Sequence, residues 1–254
     1  MTRANGLHER RLYVSWRDPV GSIHPVGLLV RRCNAGRERF LFAYLKLAEL
    51  LPAFRPLPGL PDLHRSYESM VLFPVFANRI MPRSRPDFDL LAQRVDMPGG
   101  DADPFEVMAR SGGLRHTDRI EVFSGPVHTP DDRSTCLFFA RGIRHIHGAA
   151  SAVDGLVAGD HLVLSADPDN AFNPRAMLLR VSDGKSVGFV PDYLLEHIDE
   201  LRDLNGVEPR VTVEHVNDAR TAPHLRLLCR LDAPWPTGYE PFADARFKPL
   251  AALD

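Results

Sequence analysis

Short apolar runs separated by turn-forming residues dominate the second half of the chain. Their spacing is that of about six β-strands, and they read CLFFARGIRHIHG, GDHLVLSAD, AMLLRVSDGKSVGFV, RVTVEHV and HLRLLCRL. One helical segment, PDYLLEHIDELRDL, interrupts them, and Asp192 is its predicted N-cap. Regularly spaced strands with a single helix favour a small barrel or a curled sheet. We therefore expect a barrel-like sheet from near Leu137 to near Leu231, with a helix over Asp192–Leu204 packed across one end.

One connection inside this predicted sheet is unusually long. Between the runs LSAD and AMLL lie polar and turn-forming residues with Phe172 in their midst. A plain β-hairpin needs only about two to five connecting residues. The extra length indicates either a wide surface loop or a loop that grips a ligand.

The first half predicts a small mixed module. RLYVSW and HPVGLLVRR are typical of paired strands, and ERFLFAYLKLAELL begins as a strand and ends as a helical turn. The proline-rich PAFRPLPGLPD must be an extended connector. DFDLLAQRV and DPFEVMARSGG predict short helices, the second capped by Asp103 with Pro104 at its first position. FSGPVHTPDDRST, residues 123–135, is the predicted linker. The fold class is α+β, with two domains at 1–130 and 131–254.

Composition limits the class of protein. The chain has 254 residues, of which 44% are hydrophobic and 25% are charged, as expected for a globular protein. It has no apolar run long enough to span a membrane and no apolar signal core at its start, so we expect a cytoplasmic protein without membrane contact. Cys33, Cys136 and Cys229 lie far apart and predict reduced thiols.

Charge is divided unevenly along the sequence. Residues 1–134 hold 19 basic and 16 acidic side chains (net +3), and residues 135–254 hold 12 and 17 (net −5). Neither half is a basic arm that binds nucleic acid through bulk electrostatics. A nucleic-acid function would therefore require a specific pocket. The basic clusters GRERF and PRSRP are short, which favours solvated surface.

Common catalytic templates are missing from the sequence. It has no Walker loop and no G-x-S-x-G, H-E-x-x-H or C-x-x-C motif, so we expect a protein that is not an enzyme and has no cofactor. His145 and His147 would share one face of a strand, as two metal ligands need, but no third ligand is evident. Polar surface histidines are favoured over a metal site. A hydrolase without a recognisable template is the remaining enzymatic alternative.

Three ordered motifs carry a family resemblance in the second half. ARGIRHIHG is followed by DPDNAFNPRA, which has the pattern D-P-x-N-x-F-N-x-x-A, and then by DGKSVGFV before the helix. Together they resemble the HIRAN domain over about 100 residues, from near Leu137 to near Leu231. The resemblance implies an OB-like barrel whose long loop holds a ligand. Its best-known members bind the 3′ end of single-stranded DNA through base stacking and hydrogen bonds to the 3′-hydroxyl.

The resemblance assigns a set of nucleic-acid-binding residues. Phe172 would stack on a base, Arg144 would reach a phosphate, and Asn173 would bond a sugar hydroxyl in place of the family's acid. His145 occupies an aromatic position of the family, and Phe189 stands where some members have histidine. The complete set is Arg144, His145, Asp167, Asn170, Phe172, Asn173 and Phe189. The alternative is that the Asp and Asn residues only build the loop through Asx turns.

The first half carries a weaker resemblance. LYVSWRDPVGSIHPV, ERFLFAYL and the segment containing VFANRIMP follow the order of the N-terminal subdomain of HipA-type toxin kinases. Phe76, Asn78, Ile80 and Pro82 match its motif, whereas Arg83 replaces the expected acid. The alternative is an unrelated small α+β domain. No kinase lobe follows, so the resemblance implies a module that contacts a separate HipA-like kinase.

These features together predict a non-catalytic adaptor or regulatory subunit. Its HIRAN-like domain would bind single-stranded DNA 3′ ends, in a toxin–antitoxin or genome-defence setting. The alternative function is a protein-only regulator of a HipA-like kinase that binds no nucleic acid.

Overall fold

A computed structural model describes residues 8–97, 100, 102–115 and 117–253. The chain forms two compact units. The first comprises Met1–Met81, Gly112–Gly125 and Phe242–Asp254, and the second comprises Pro82–Ser111 and Pro126–Pro241. These units differ from the predicted domains 1–130 and 131–254, because Pro82–Ser111 clusters with the second unit and Phe242–Asp254 with the first. Strand pairing and burial join segments that are distant in sequence, which a linear boundary cannot represent.

The first unit is built on one antiparallel sheet. Its strands are β1 (His8–Arg17), β2 (Ile23–Asn34), β3 (Arg37–Tyr44), β4 (Tyr67–Ser69) and β5 (Ile120–Phe123), in the order β4-β3-β2-β1-β5. Two short helices, α1 (Lys46–Glu49) and α2 (Pro74–Ala77), and a 3₁₀ turn at Ala245–Phe247 accompany it. Fully buried apolar side chains on the strands, such as Leu12, Leu29 and Phe42, form the core.

Tyr44 fixes the proline-rich connector to this core. Its ring is fully buried, and its hydroxyl donates to the Leu60 carbonyl over 2.7 Å and accepts from the Leu57 amide over 2.6 Å. The prolines leave the connector without helix or strand, as the sequence predicts. A buried hydroxyl therefore satisfies backbone groups that no regular structure can pair.

The second unit is built on a curled antiparallel sheet. Its strands are β6 (Val127–His128), β7 (Arg133–Phe139), β8 (His161–Ala166), β9 (Met177–Arg180), β10 (Ser186–Phe189), β11 (Arg210–Val216) and β12 (Leu227–Pro234), in the order β10-β9-β8-β11-β12-β7-β6. Its helices are α3 (Phe88–Arg94), α4 (Pro104–Ser111), α5 (Ala149–Asp154) and α6 (Asp192–Asn205), with 3₁₀ turns at Ile143–His145 and Pro223–Leu225. The helices and curled antiparallel sheets give the mixed, sheet-rich character that the sequence predicts.

The curl of the sheet brings the edge strand β10 back to the segment that follows β7. Arg141 and Phe189 form an isolated antiparallel bridge, and each amide donates to the other residue's carbonyl over 2.8 Å. This bridge joins β10, at one edge of the sheet, to the segment just after β7. The result is a barrel-like sheet in the region where regular strand spacing predicts one.

Helix α6 lies where the sequence predicts it, but its start is built differently. Pro191 is the N-cap, and Asp192, the predicted cap, is the first helical residue. The helix buries Leu194, Ile198 and Leu201 completely. It ends at Gly206, which adopts the left-handed conformation (φ 64°) and donates its amide to the Arg202 carbonyl over 2.8 Å.

Three local predictions are wrong. The predicted linker 123–135 contains β6, which pairs with β7 as a hairpin. His145 and His147 do not share a strand face, because β7 ends at Phe139 and His145 lies in a 3₁₀ turn. A second helix, α5, follows that turn. Gly142 and Gly148, both with positive φ, break the strand that local apolarity suggests.

Among the described residues, no helix is both long and apolar enough to cross a membrane.

Candidate nucleic-acid interface

The long connection between β8 and β9 is a structured loop closed at its neck. Asp167 donates its amide to the Ala176 carbonyl over 2.8 Å, and Ala176 donates to the Asn173 carbonyl over 2.9 Å. Inside the loop, the Asn170 side-chain oxygen accepts the amides of Phe172 (3.1 Å) and Asn173 (3.2 Å). The Asn170 side-chain nitrogen donates to Asp167 over 3.0 Å. These Asx turns build the loop without regular secondary structure.

Two side chains fasten the loop to α6. The Asn173 side-chain nitrogen donates to Asp192 over 3.1 Å, and its side-chain oxygen accepts the Arg175 amide over 3.0 Å. The Arg175 guanidinium pairs with Asp199 over 2.6 Å. The loop is therefore held at its neck, in its interior and against the helix.

Phe172 lies exposed on this braced loop. Its side chain is 74% accessible, although most large apolar residues of the unit are buried. Within the described part of the chain, no aromatic ring stacks on it. A phenyl ring left in water on a fixed backbone offers a flat apolar face to a ligand at little ordering cost.

Two glycines allow the close approach beside the loop. A Cβ atom on Gly188 (φ 153°) would lie 3.0 Å from both the Ala140 Cβ and the Arg141 carbonyl oxygen. On Gly142 (φ 68°) it would lie 2.9 Å from the Phe189 ring. The half-buried Phe189 is thus packed against the Gly142 backbone. The V-G-F-V motif therefore has a structural reason, because its glycine lets β10 meet the chain leaving β7.

Arg144 and His145 lie in the turn that follows this bridge. Both are exposed, and the Arg144 Nε donates to the His145 Nε2 over 2.9 Å. Among the described residues, no carboxylate forms an ion pair with Arg144. Its guanidinium is therefore available for an external anion.

The sheet register places the predicted residues in neighbouring positions. Val190 donates its amide to the Met177 carbonyl over 2.9 Å, next to the loop neck, and Phe189 forms the bridge with Arg141. The loop, Phe189 and the Arg144 turn thus follow one another across the sheet. The described contacts join Asp167, Asn170 and Asn173 directly, whereas no described contact joins Phe172 to Arg144. The sequence did not single out Arg141, Gly142 or Gly188, which hold these parts together.

A separate buried network was also missed. The His197 Nδ1 lies 2.6 Å from the Tyr239 hydroxyl, which donates to Glu200 over 2.7 Å, and the His197 Nε2 lies 3.2 Å from the Ser134 Oγ. Burial lowers the pKa of His197 from 6.5 to about 4. Burial and the Glu200 hydrogen bond raise the pKa of Tyr239. His197 and Ser134 are 1% and 2% exposed, so these two groups are closed to substrate, and their contact joins α6 to β7.

The described residues form no cluster of three or more His, Cys, Asp or Glu side chains that could hold a metal ion. These segments offer an exposed phenyl ring, a guanidinium that has no carboxylate partner among the described residues, and the side-chain amides of Asn170 and Asn173. Such groups bind planar and anionic ligands.

No protein-family profile and no curated protein matches the chain. Two solved structures are similar to part of it. The HIRAN domain of human HLTF is 16% identical, with 42% of this chain and 84% of that chain covered and a TM-score of 0.30. A protein from Lactobacillus plantarum is 16% identical, with 43% of this chain and 95% of that chain covered and a TM-score of 0.31.

Proposed function

We propose that the second unit binds the 3′ end of a single-stranded nucleic acid, with DNA as the expected form, and that the protein is a non-catalytic adaptor. The observation that carries this proposal is the 74% exposed Phe172 ring on a loop braced by hydrogen bonds. Stacking of a base on an aromatic side chain contributes about 1–3 kcal/mol and tolerates any base. A terminal base is favoured because it has one free face and can leave the strand.

Arg144 supplies a positive charge for the phosphate that adjoins the stacked base. Its guanidinium has no carboxylate partner among the described residues, and arginine binds phosphate through a fixed fork of donors. The turn containing Arg144 follows the Arg141–Phe189 bridge, next to the loop neck. The proposal therefore assigns the phosphate beside the terminal base to Arg144.

The side-chain amides of Asn170 and Asn173 act mainly by fixing the loop that carries Phe172. Asn170 uses its side-chain oxygen for two loop amides, and Asn173 uses its oxygen for Arg175 and one amide hydrogen for Asp192. One hydrogen on the Asn173 side-chain nitrogen is left for a sugar hydroxyl. A hydroxyl contact of this kind would distinguish a free 3′ end from a blocked one.

A titration with three labelled oligonucleotides tests the proposal. Each is about ten nucleotides long, within the usual footprint of an OB-type barrel. One strand carries a free 3′-hydroxyl, one a 3′-phosphate, and one is a blunt duplex, and fluorescence anisotropy reports binding. We expect the free strand to bind best. Equal binding of all three would exclude the end site. No binding at low salt would exclude it too and would favour the protein-only regulator.

A matched pair of variants separates Phe172 from surface apolarity in general. Phe172→Ala should weaken binding of the free strand about tenfold or more, by losing the stacked base. Val157→Ala removes another exposed apolar side chain of the same unit, 63% accessible, and should have no effect. The same strand made of RNA determines whether the proposed preference for DNA holds.

A further inference from the structure

Four arginines lie on one face of the first unit's sheet, where β1 begins, β2 ends and β3 begins. They are Arg11, Arg32, Arg37 and Arg39. We propose that this arginine face, which directly opposed strands hold together, binds the phosphodiester backbone of a nucleic acid. The site goes beyond the proposed end site and lies on the other unit.

Charge is divided between the units far more sharply than between the halves of the sequence. The first unit holds 16 Lys and Arg against 10 Asp and Glu, net +6, and the second holds 15 against 23, net −8. The segment 82–111 is acidic and clusters with the second unit, which is why the sequence halves hide this division. The long-range field therefore attracts a polyanion more strongly to the first unit than to the acidic second one, where binding depends on a local site.

The strand register places the arginines on one face. Glu9 lies opposite Arg32, and Arg32 lies opposite Arg39. Opposed residues share a face, as do residues two apart along a strand, which adds Arg11 and Arg37. Like charges directly opposite each other destabilise a sheet. A bound anion between Arg32 and Arg39 would relieve that repulsion.

The carboxylates on this face leave an excess of positive charge. Glu9 is shared by Arg11 (2.6 Å) and Arg32 (2.7 Å), and Glu68 pairs with Arg39 over 3.0 Å. Among the described residues, Arg37 forms no ion pair. The side chains of Arg11 and Arg39 are each 61% exposed, so their guanidinium groups remain accessible.

The residue type favours phosphodiesters among the possible anions. All the lysine or arginine side chains on β1, β2 and β3 are arginines. The planar guanidinium binds phosphate through two parallel hydrogen bonds, and its position across neighbouring strands allows several phosphates to be held in a row. A repeating backbone can extend along such a row, whereas an isolated phosphate reaches only the nearest guanidinium groups.

The test uses the full chain and a single strand of about twenty thymidines blocked by a 3′-phosphate, so that the end site makes no contribution. We expect binding whose logarithmic salt dependence falls with slope about −0.7 per phosphate contact. Arg37→Glu combined with Arg39→Glu should weaken binding about tenfold or more and flatten the slope by about 1.4, the loss of two contacts.

Matched variants and probes make the result specific. Arg210→Glu with Arg220→Glu makes the same change in net charge on exposed arginines of the second unit and should leave binding unchanged. Equal weakening by both pairs, or none by the first pair, would overturn the arginine face. Equal affinity of the protein for vesicles of anionic phosphatidylglycerol and for the thymidine strand would also overturn it. The same holds if light scattering shows that the salt dependence comes from dissociation of protein oligomers. Phe172→Ala should leave this binding intact, so the two proposals fail separately.

Discussion

The Asn173 side-chain nitrogen donates a hydrogen bond to Asp192, the first residue of α6, over 3.1 Å. This bond connects the loop that carries Phe172 to the longest helix of the second unit. The bond also gives Asp192 a partner, because the uncharged amide of Asn173 donates to its carboxylate without placing a second negative charge beside it.

A double-mutant cycle tests that connection. Asn173→Asp places two carboxylates within hydrogen-bond distance, and we expect it to lower the free energy of unfolding by about 1 kcal/mol. Adding Asp192→Asn reverses donor and acceptor and should recover most of the loss. Urea denaturation measures both. A single variant as stable as the parent, or a double variant no better than the single, would show that the bond does not hold the loop.

Gly188 should tolerate no side chain. Gly188→Ala forces a Cβ to within 3.0 Å of the Ala140 Cβ and the Arg141 carbonyl at a φ of 153°, and should cost about 1–3 kcal/mol. Gly184→Ala is the control. An alanine is also strained at its φ of 86°, but nothing lies within 4 Å of the added Cβ. Thermal unfolding should show the larger loss at Gly188. Equal losses would mean that the close approach of β10 to Arg141 is not required.

His197 should make the second unit sensitive to mild acid. Its folded pKa of about 4 lies below the ordinary 6.5, so the unfolded chain binds the proton more readily. Stability is therefore fully present above pH 6.5 and falls as the pH drops toward 4, by up to about 3 kcal/mol. His197→Gln keeps a polar side chain but cannot titrate, and its stability should change less over this range. Parallel pH profiles for the two proteins would refute this role.

Local patterns in the sequence predicted much of the second unit. The apolar runs locate β7 to β12, and the apolar spacing within PDYLLEHIDELRDL locates α6. Alternation and 3.6-residue periodicity depend on neighbouring residues only, so a short window of sequence suffices. The braced loop was also foreseen as one of two alternatives, because Asp and Asn residues at these spacings form Asx turns.

Long-range contacts account for what was missed. β5 pairs with β1 through Val14 and Val122, more than a hundred residues apart, and so brings Gly112–Gly125 into the first unit. Likewise, the bridge between Arg141 and Phe189 and the close approach of the Phe189 ring to Gly142 arise only when distant segments meet. The division of charge between the units depends on the same assembly. The sequence alone therefore favours solvated surface for the GRERF cluster, which contains Arg37 and Arg39.

The central claim is that Phe172 stacks on the last base of a strand. The most direct measurement places the fluorescent base 2-aminopurine either at the 3′ terminus or several nucleotides inside the same single strand. Stacking on the ring should change the emission of the terminal base, leave the internal base unaffected, and be lost in Phe172→Ala. An equal response at both positions, or a terminal response that survives Phe172→Ala, would contradict the account.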